Sequence, residues 1–539
     1  MTALSGTIAL TGLALRRDRL RLSAYVLGLA ALLAGMLGME AAQPHEALVE
    51  ETELFAGTPA IRLFGLASGV SVGATLLIRG YLVLAVLAAL TSALAVVRHT
   101  RQNEETGRAE LVGAAVVGRH AGLAAALIVT VGANVVLAGA LALAAIATGQ
   151  PTAGSFATGA AVGAFGVVFA GVAAVAVQLS STTRGAGGLA AAALGVAYVL
   201  SGVGNMLGTA DASGVRLVSA WPAWLSPMGW GQQMRPFGGD DWRPLGLFAI
   251  AFVVLVGAAS ILETRRDVAS GMFPARRGHA EAAPGLLSPL GLVARLQRGA
   301  LLGWAAGMAA FGLIFGAIVD EIADASGATT EWYARMGGSE QIVDAYRASM
   351  IEMAGMAVAI YAVQVLLRMR AEEADGPLEP ILATAVSRSR WMLSHVLNAW
   401  LGAFALLLVF ALCMGLTAGS VLGDVPGQLR SLVVAGAVQL PGIMVIGGAV
   451  VAVTALVPRW AATVSWTVLV VSILLGPLFG AATLQLPGWM QDASPFTHIP
   501  KAPAADVAAL PVVGLLATAA ILAGAGLVAF RRRNLALPA

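Results

Sequence analysis

The sequence predicts an all-α polytopic membrane protein with twelve transmembrane helices, arranged as two parallel six-helix repeats. Of the 539 residues, 58% are hydrophobic and only 11% are charged, whereas about a quarter of the residues in a soluble globular protein are charged. Apolar runs long enough to cross a bilayer recur along the chain. A charged segment between two such runs occurs once in each half, which indicates an internal duplication.

The apolar runs divide equally between the two halves of the chain. A membrane-spanning helix needs about 20 largely apolar residues. In the first half, residues 1–262, predicted spans lie at 23–42, 80–98, 121–147, 155–179, 186–208 and 245–262. In the second half, residues 291–539, they lie at 300–319, 349–367, 392–417, 432–456, 461–482 and 509–530. Residues 263–290 are a predicted cytoplasmic linker, and the apolar run 64–78 is a predicted interfacial or re-entrant lead-in.

The distribution of arginine predicts that both termini lie in the cytoplasm. With that orientation, 23 of the 32 basic residues fall on the cytoplasmic side, in agreement with the enrichment of Lys and Arg in cytoplasmic loops. The opposite orientation would place those 23 arginines outside. Because both halves contain an even number of predicted spans, the repeats are parallel and related by an axis along the membrane normal.

The basic stretch before the first span is predicted to be retained in the mature protein. A cationic stretch followed by an apolar run is also the pattern of a signal peptide. However, Arg16 and Arg19 recur inside the chain as Arg295 and Arg298, at an offset of 279 residues. An internal copy cannot be a cleaved leader, so we favour the same retained helix in both places.

The duplicated charged segment reads RHTRQNEETGRAELVGAAVVGR at 98–119 and RMRAEEADGPLEPILATAVSR at 368–388. In each copy a glycine can end the membrane helix, and the residues after it predict a short helix along the cytoplasmic face. Arg108, four residues after Glu104, supports a helical turn. The matched residues are Glu104 with Glu372 and Glu105 with Glu373 at an offset of 268, and then, after one inserted residue, Gly107 with Gly376, Glu110 with Glu379 and Arg119 with Arg388 at 269.

The acids of this segment favour a protein partner. The inner leaflet of a bilayer is anionic and repels carboxylates. Docking of a partner with basic and apolar pockets therefore explains the segment better than the alternative, which is anchoring on lipid headgroups.

A Ser-Pro pair precedes the last span of each half. Ser226 and Pro227 lie in WLSPMGW, and Ser494 and Pro495 lie in DASPFTH, at an offset of 268 residues. The basic stretch, the charged segment and the Ser-Pro pair thus recur in the same order at nearly the same spacing. This order supports a duplicated unit more strongly than any single motif does.

With these motifs the sequence resembles the permease subunit of type-2 ABC exporters, and most of all the fused, double-length actinobacterial permeases of tetronasin or polyketide-antibiotic multidrug exporters. The duplicated EE–G–xxE–(L/P)(V/I)–R pattern carries the resemblance, together with LVARLQRGALLGWAAGMAAFGLIFGA (292–317), WLSPMGWGQQMRPFGGDDWRPL (224–245) and SPFTHIPKAPA (494–504). The resemblance covers essentially the whole chain. It implies the type-2 ABC exporter permease fold, a bacterial cytoplasmic membrane and export of hydrophobic drugs or polyketide antibiotics.

The resemblance also implies a role for each repeated element. The charged segments would be coupling helices that dock an ATPase subunit, and the basic stretches would be amphipathic connecting helices. The Ser-Pro pairs would lie in outer re-entrant elements before the last span. A substrate path would run between the halves, with candidates at Tyr81, Tyr198, Asn205, Tyr361, Gln364 and Trp466. For each of them taken alone, a packing or hydrogen-bonding role is favoured over substrate contact.

The sequence contains no ATP-binding loop of its own. A Walker A loop needs a lysine at the phosphates, and the sole lysine, Lys501, lies in IPKAPA on the predicted outer side. Two docking segments therefore imply two copies of a separate ABC ATPase, which would bind ATP and magnesium. The single cysteine, Cys413, and six scattered histidines predict no metal site. We expect no catalytic residue, no cofactor in this chain and no nucleic-acid partner.

Two other classes are the alternatives: a proton-coupled secondary drug antiporter, and a lipid or polymer flippase subunit. An antiporter usually carries ionisable groups within its spans, and these spans are nearly free of them. Glu352 is predicted to end an outer loop near the eighth span, and Arg79 lies at the start of the second. The paired acids Glu50 and Glu51 are predicted to be solvated loop charges.

Overall fold

The computed structural model describes residues 3–57, 61–267, 270–272, 281–320, 341–481 and 486–534. The chain forms two compact units, Met1–Gly278 and His279–Ala539. Helices make up 80% of the structure, which confirms the predicted all-α class.

The first unit is a helical bundle with a small two-stranded sheet. Its long helices are α1 (Thr7–Ala41), α3 (Val72–His99), α6 (Ala121–Ala147), α7 (Thr152–Leu179), α8 (Thr183–Met206) and α10 (Pro244–Thr264). Short helices lie between them: α2 (His45–Gly57), α4 (Arg101–Glu105), α5 (Arg108–Gly113) and α9 (Pro227–Gln233). Strands β1 (Thr209–Ala210) and β2 (Leu217–Val218) pair antiparallel.

Local sequence explains where several of these helices begin. Ser71, Thr182 and Ser226 precede α3, α8 and α9, and the side-chain oxygen of each accepts a backbone N–H of the first turn, as N-cap residues do. Helix α10 begins with Pro244, which suits a position where no N–H donor is needed.

Helix α7 is central to the first unit and packs against α3, α6, α8 and α10. Two glycines four residues apart let α6 approach closely. A Cβ added at Gly159 would lie 2.1 Å from the carbonyl oxygen of Ala138, and one at Gly163 would lie 2.9 Å from that of Asn134. Small residues at this spacing commonly permit close helix contacts in membranes.

The second unit contains the corresponding set of helices. Its long helices are α11 (Pro289–Ala317), α12 (Ile342–Leu366), α15 (Arg388–Leu422), α16 (Val425–Leu456) and α19 (Ala509–Arg532). The shorter ones are α13 (Arg368–Ala374), α14 (Leu378–Leu382), α17 (Ala461–Leu475) and α18 (Gly488–Gln491).

The two units share one packing scheme. In the first unit α6 packs on α1 and α7, and α7 packs on α3, α8 and α10. In the second unit α15 packs on α11 and α16, and α16 packs on α12, α17 and α19. Helices at corresponding places in the sequence are therefore neighbours within each unit, as a duplicated sequence predicts.

Eleven helices of the described residues are long and apolar enough to cross a bilayer, and each contains most of one predicted span. The predicted span 461–482 differs, because α17 has 15 residues and reaches only about 22 Å. Helix α17 ends just before Gly476 and Pro477, because a proline sterically disfavours the helical conformation of the residue that precedes it. A π-helical turn, Pro477–Ala481, follows. The count of twelve spans and the cytoplasmic location of both termini stay predictions.

The structure also corrects two predictions about where helices begin, one for the apolar run 64–78 and one for the basic stretches. The run 64–78 is not a separate lead-in, because Ile61–Phe64 forms a 3-10 turn and α3 already begins at Val72. The basic stretches are continuous with the spans that follow them, as the first parts of α1 and α11. They do not form separate helices.

Candidate functional site at the charged segments

Each charged segment turns the chain after the second long helix of its unit. In the first unit α4 follows α3, and Gly107 has a φ of +70° before α5 begins. In the second unit α13 follows α12, and Gly376 has a φ of +93° before α14. This left-handed backbone is readily adopted by glycine, so these two residues end the long helix and redirect the chain.

A buried arginine attaches the first charged segment to the rest of its unit. The side chain of Arg101 is fully buried and donates to Glu104 (Nη1–Oε2 2.7 Å) and to the carbonyl of Val177 near the end of α7. Glu104 also accepts from Arg266, which follows α10 (Nη2–Oε1 2.6 Å). This triad, Arg101–Glu104–Arg266, joins three parts of the unit, and we call it the first clasp.

The second unit contains the same arrangement, the second clasp. Arg370 Nη1 lies 3.6 Å from Glu373 Oε2, and Arg533, directly after α19, donates to Glu373 (Nη2–Oε1 2.5 Å). Arg533 also donates to the carbonyl of Thr454 near the end of α16 (3.2 Å). Glu373 is only 1% exposed, so its negative charge is shielded from solvent.

The clasps change the alignment of the two charged segments. Arg101 corresponds to Arg370 and Glu104 to Glu373, both at an offset of 269 residues. The glycines that follow have the same offset, so the inserted residue assumed from the sequence is unnecessary. Glu104 therefore corresponds to Glu373 and not to Glu372.

The last arginine of each segment completes the attachment. Arg119 Nη2 donates to the carbonyls of Glu263 (2.7 Å) and Arg266 (3.1 Å). Its counterpart Arg388 donates to the carbonyl of Arg533 (Nη1–O 2.7 Å). Both ends of each segment therefore contact an arginine that follows the last long helix of the unit, Arg266 in the first unit and Arg533 in the second.

Two more of the six predicted docking acids, Glu105 and Glu372, also have partners within their own unit. Glu105 accepts from the backbone N–H of Thr183 (2.8 Å) at the start of α8, where the helix dipole favours a negative charge. Glu372 is buried and accepts from Arg368 Nε (2.9 Å) and Trp391 Nε1 (3.2 Å). The four acids thus hold the segments in place, and their contact with an ATPase stays a prediction.

The short helix after the glycine has exposed surface in each segment. In the first unit Arg108, Glu110 and Leu111 of α5 are exposed, Leu111 by 79%. In the second unit Glu379 and Pro380 of α14 are exposed. Glu110 and Glu379 are equivalent residues, and neither has an ion-pair partner within the described ranges. A partner can reach these mixed charged and apolar surfaces, and also the exposed acids Glu105 and Asp375 before the glycines.

A further buried acid, not singled out from the sequence, joins α1 to α3. Asp18 is 1% exposed, accepts from Arg98 (Nη1–Oδ2 2.6 Å) and lies 2.8 Å from His99 Nε2. Its neighbours Arg16 and Arg19 are exposed. The only sign of this contact in the sequence is a lone acid within a run of arginines. Its partners Arg98 and His99 lie about 80 residues away in sequence.

In the second unit Gln297 takes the place of Asp18. It is buried, donates to the carbonyl of Val365 (3.3 Å) and accepts from Asn398 Nδ2 (2.7 Å). Arg295 and Arg298 on either side of it are exposed. In both units the basic stretch therefore presents its arginines outward and anchors the helix through one buried polar side chain.

The two Ser-Pro pairs have equivalent structures. Ser226 caps α9 and Ser494 caps the 3-10 turn Pro495–His498, and both serines are fully buried. Ser226 Oγ donates to the carbonyl of Ala197 on α8 (2.5 Å), and Ser494 Oγ donates to that of Ser472 on α17 (2.7 Å). Each pair therefore ties the short element before the last helix to the fifth apolar helix of its unit.

Comparison with known proteins decides the family to which this duplicated architecture belongs. The chain is 38% identical over 540 residues to the multidrug efflux system permease protein Rv1217c of Mycobacterium tuberculosis (strain ATCC 25618 / H37Rv), a match that covers 98% of this chain and 95% of the relative. The chain belongs to the Rv1217c permease family. Residues 286–531 also match the family described as multidrug efflux system permease Rv1217c, C-terminal domain. The prediction of a multi-pass membrane permease is thereby confirmed.

Three of the six predicted substrate-path residues are buried inside their own unit of the permease. The hydroxyls of Tyr81 and Tyr361 lie against Gly231 and Gly402, where an added Cβ would be 1.8 and 2.1 Å from the respective oxygen. Asn205 is fully buried and is hydrogen-bonded within the first unit. These contacts make all three residues part of the packing.

The other three candidates reach the surface to different degrees. Tyr198 is partly buried against the core of the first unit. Gln364 and Trp466 are exposed, and Gln364 accepts from Trp304 Nε1 (2.9 Å). Of the six, Gln364 and Trp466 are the side chains with open surface for a ligand of the permease.

Glu352 does not end an outer loop, in contrast to the prediction. It lies within α12 and is 6% exposed, and its Oε1 has no hydrogen-bond partner among the described residues. Lys501 acts on it electrostatically. Burial lowers the pKa of Lys501, and the negative charge of Glu352 opposes that shift.

Within the described ranges, no three His, Cys, Asp or Glu side chains form a group that could hold a metal ion.

The paired acids Glu50 and Glu51 have different environments. Glu50 is exposed, whereas the Glu51 side chain is 16% exposed and forms an ion pair with Arg79 (Oε1–Nη1 2.6 Å). Arg79 also lies 3.4 Å from Glu40 at the end of α1. Burial raises the pKa of Glu51 to about 7, although Arg79 opposes this. The prediction of two solvated loop charges is therefore wrong for Glu51.

Proposed function

We propose that this permease is the membrane-spanning subunit of an ATP-driven ABC efflux pump that exports hydrophobic drugs, polyketide antibiotics among them. Two copies of a separate ATPase would power it. The name of the relative, a multidrug efflux system permease, supports the export of several drugs. The sole lysine, Lys501, lies outside any Walker A loop, which supports an ATPase on another chain.

The observation that carries the proposal is the pair of braced short helices, α5 and α14. Each follows a left-handed glycine and exposes a mixed surface, and the short helix before that glycine is attached by a clasp to the segment after the last long helix. A push by a partner on α5 would reach α3, α7 and α10 through Arg101, Glu104 and Arg266. Networks of salt bridges and rigid helices are the physical means by which such coupling travels.

A hydrophobic substrate fits the surfaces of the long helices. Large apolar side chains are exposed along them, including Leu94, Val136, Leu143 and Leu401. Because transfer of apolar surface out of water is favourable, a hydrophobic drug would collect in the bilayer and meet the permease there.

Charge reversal at the two equivalent exposed acids tests the docking role. In the double variant Glu110→Arg with Glu379→Arg, we expect the ATPase subunit to co-purify at less than about a tenth of the wild-type yield, since like charges across an interface cost several kcal/mol. The matched control is Glu53→Arg with Asp506→Arg, which makes the same charge change at exposed acids outside the charged segments. Gel filtration and circular dichroism would show that both variants are folded.

Wild-type recovery of the ATPase with the Glu110 and Glu379 variant would remove the docking assignment. An equal loss of ATPase from the control variant would also remove it, because the effect would then follow from net charge alone. The two single variants would show whether α5 and α14 each bind one ATPase copy.

A proton-coupled antiporter is the second candidate, and the buried carboxyl of Glu352 favours it. Ionisable groups inside membrane helices often mark proton paths. The variant Glu352→Gln keeps the shape of the side chain and removes its charge. We expect ATP-driven drug transport into inverted vesicles to continue with this variant. Transport that is driven by a proton gradient alone and abolished by Glu352→Gln would establish the antiporter.

A further inference from the structure

A cavity of 620 Å³ lies within the first unit, beside its charged segment. Its walls come from the first part of α1, from α5, from the start of α6 and from the segment after α10. Apolar side chains in its lining include Leu10, Leu13, Val112 and Leu123. The function proposed above assigns no role to this space.

Basic side chains also line the cavity. Arg17 donates only to the neutral amide of Asn103 (Nη1–Oδ1 3.2 Å), and Arg119 donates only to backbone carbonyls. Arg108 is exposed and has no hydrogen-bond partner within the described ranges. These three guanidinium groups line the cavity, and none of them forms an ion pair within the described ranges.

Four arginines and three carboxylates line the cavity, the fourth arginine being Arg266. Glu104 is paired with Arg101 and Arg266 in the first clasp. Glu263 is 2.6 Å from His120 Nδ1, and Asp267 is exposed to solvent. A ligand inside the cavity would therefore meet apolar side chains and a lining with one more arginine than carboxylates.

The first part of α1 places this cavity at a membrane surface. Ile8, Leu13 and Leu20 are exposed by 90%, 61% and 77% on the same stretch that exposes Arg16 and Arg19. Because this stretch precedes the first span within the same helix, its arginines would lie at the level of the lipid headgroups, as arginines near the ends of membrane helices do. A phosphate carried by a lipid would therefore reach the cavity more readily than a soluble one.

We propose that the cavity binds one anionic phospholipid from the leaflet at the basic end of the unit. The headgroup phosphate would lie between Arg17 and Arg108, and the acyl chains would follow Leu10, Leu13 and Leu123. Basic clusters beside membrane helices attract anionic lipids through the negative potential of the leaflet. The lipid would contact α5 directly, and its binding requires no assumption about the energy source of the pump.

The second unit lacks the two arginines that would hold the headgroup. Leu296 stands at the position of Arg17, at an offset of 279, and Pro377 at that of Arg108, at an offset of 269. We therefore expect one such lipid per chain.

Native mass spectrometry of the full chain tests this site, with added phosphatidylglycerol or phosphatidylcholine as the probe. Wild type should retain one phosphatidylglycerol and should bind phosphatidylcholine much more weakly. Arg17→Leu with Arg108→Ala should weaken phosphatidylglycerol binding about thirtyfold. The control Arg298→Leu with Arg390→Ala removes two exposed arginines from the second unit and should bind as wild type does.

Equal weakening in the control, equal binding of the two lipids, or displacement of the lipid by equimolar inorganic phosphate would each overturn the proposal.

Crosslinking with a phosphatidylglycerol that carries a photoreactive acyl chain keeps the test independent of variant folding. Wild-type protein should be labelled in the peptides that contain Leu10 and Leu123. Labelling confined to other peptides would also overturn it.

Discussion

Arg101 shows why the charged segments are built around ion pairs. Its side chain has no exposed surface, and two carbonyls and Glu104 surround it. A guanidinium cannot lose its proton to escape this environment, so its stability depends on the carboxylate. Sequence alone shows the Arg-x-x-Glu spacing in both units, but not that Arg266 completes the first clasp from about 160 residues away.

Removal of Glu104 should therefore destabilise the first unit. We expect Glu104→Ala to lower the free energy of unfolding by about 3 kcal/mol, because it leaves a buried charge without its partner. Glu110→Ala, at an exposed residue of the same segment, should change it by less than about 0.5 kcal/mol. Denaturant unfolding in detergent measures both, and similar small changes in the two variants would show that the clasp contributes nothing.

Glu51 gives the permease a predictable dependence on pH. Its pKa is raised from 4.5 to about 7 by burial, so the folded state keeps this proton over a range in which the unfolded state has lost it. The contribution of Glu51 to stability is therefore greatest below pH 4.5, falls as the pH rises to about 7, and is constant above that.

The variant Glu51→Gln should remove this fall. We expect its melting temperature between pH 4.5 and 7 to decline less than that of wild type. Glu50→Gln, which changes the exposed neighbour, should follow the wild-type profile. A Glu51→Gln profile that is parallel to wild type would show that Glu51 ionises in the folded protein as it does in the unfolded one.

At the scale of the helix, close approach between α6 and α7 depends on Gly159. A methyl group there would meet the backbone oxygen of Ala138 at 2.1 Å, and backbone cannot move aside as a side chain can. We expect Gly159→Ala to cost about 2 kcal/mol of stability, as overpacking of a core does. Gly139→Ala, on the other helix of the pair, has nothing within 4 Å of its added Cβ and should be neutral. Equal melting temperatures would contradict the close contact.

Helix positions were largely predictable because length and hydropathy decide them. Eleven of the predicted spans coincide with long apolar helices. The end of α17 was missed because a Gly-Pro pair, Gly476 and Pro477, stops the helix inside a run that remains apolar. The roles of Glu105 and Glu372 were missed because their partners, Thr183 and Trp391, lie on other helices, and acidic character alone does not reveal them.

The duplication has consequences for the whole molecule. Both units use one packing scheme and one clasp, so each unit offers one short exposed helix to a partner. A single chain would then provide two equivalent docking surfaces, and a pump built on it would contain one permease and two ATPase copies. The basic cavity is the clearest departure from this symmetry, because Leu296 and Pro377 replace its two arginines in the second unit.

The central claim is that a separate ATPase drives this permease. Affinity purification of the tagged chain from its native host, followed by mass spectrometry and an ATPase assay, tests it most directly. We predict a P-loop ATPase subunit at two copies per permease, with ATP hydrolysis that increases when hydrophobic drugs are added. A permease that purifies without an ATPase, and that transports drugs with only a proton gradient supplied, would contradict the account.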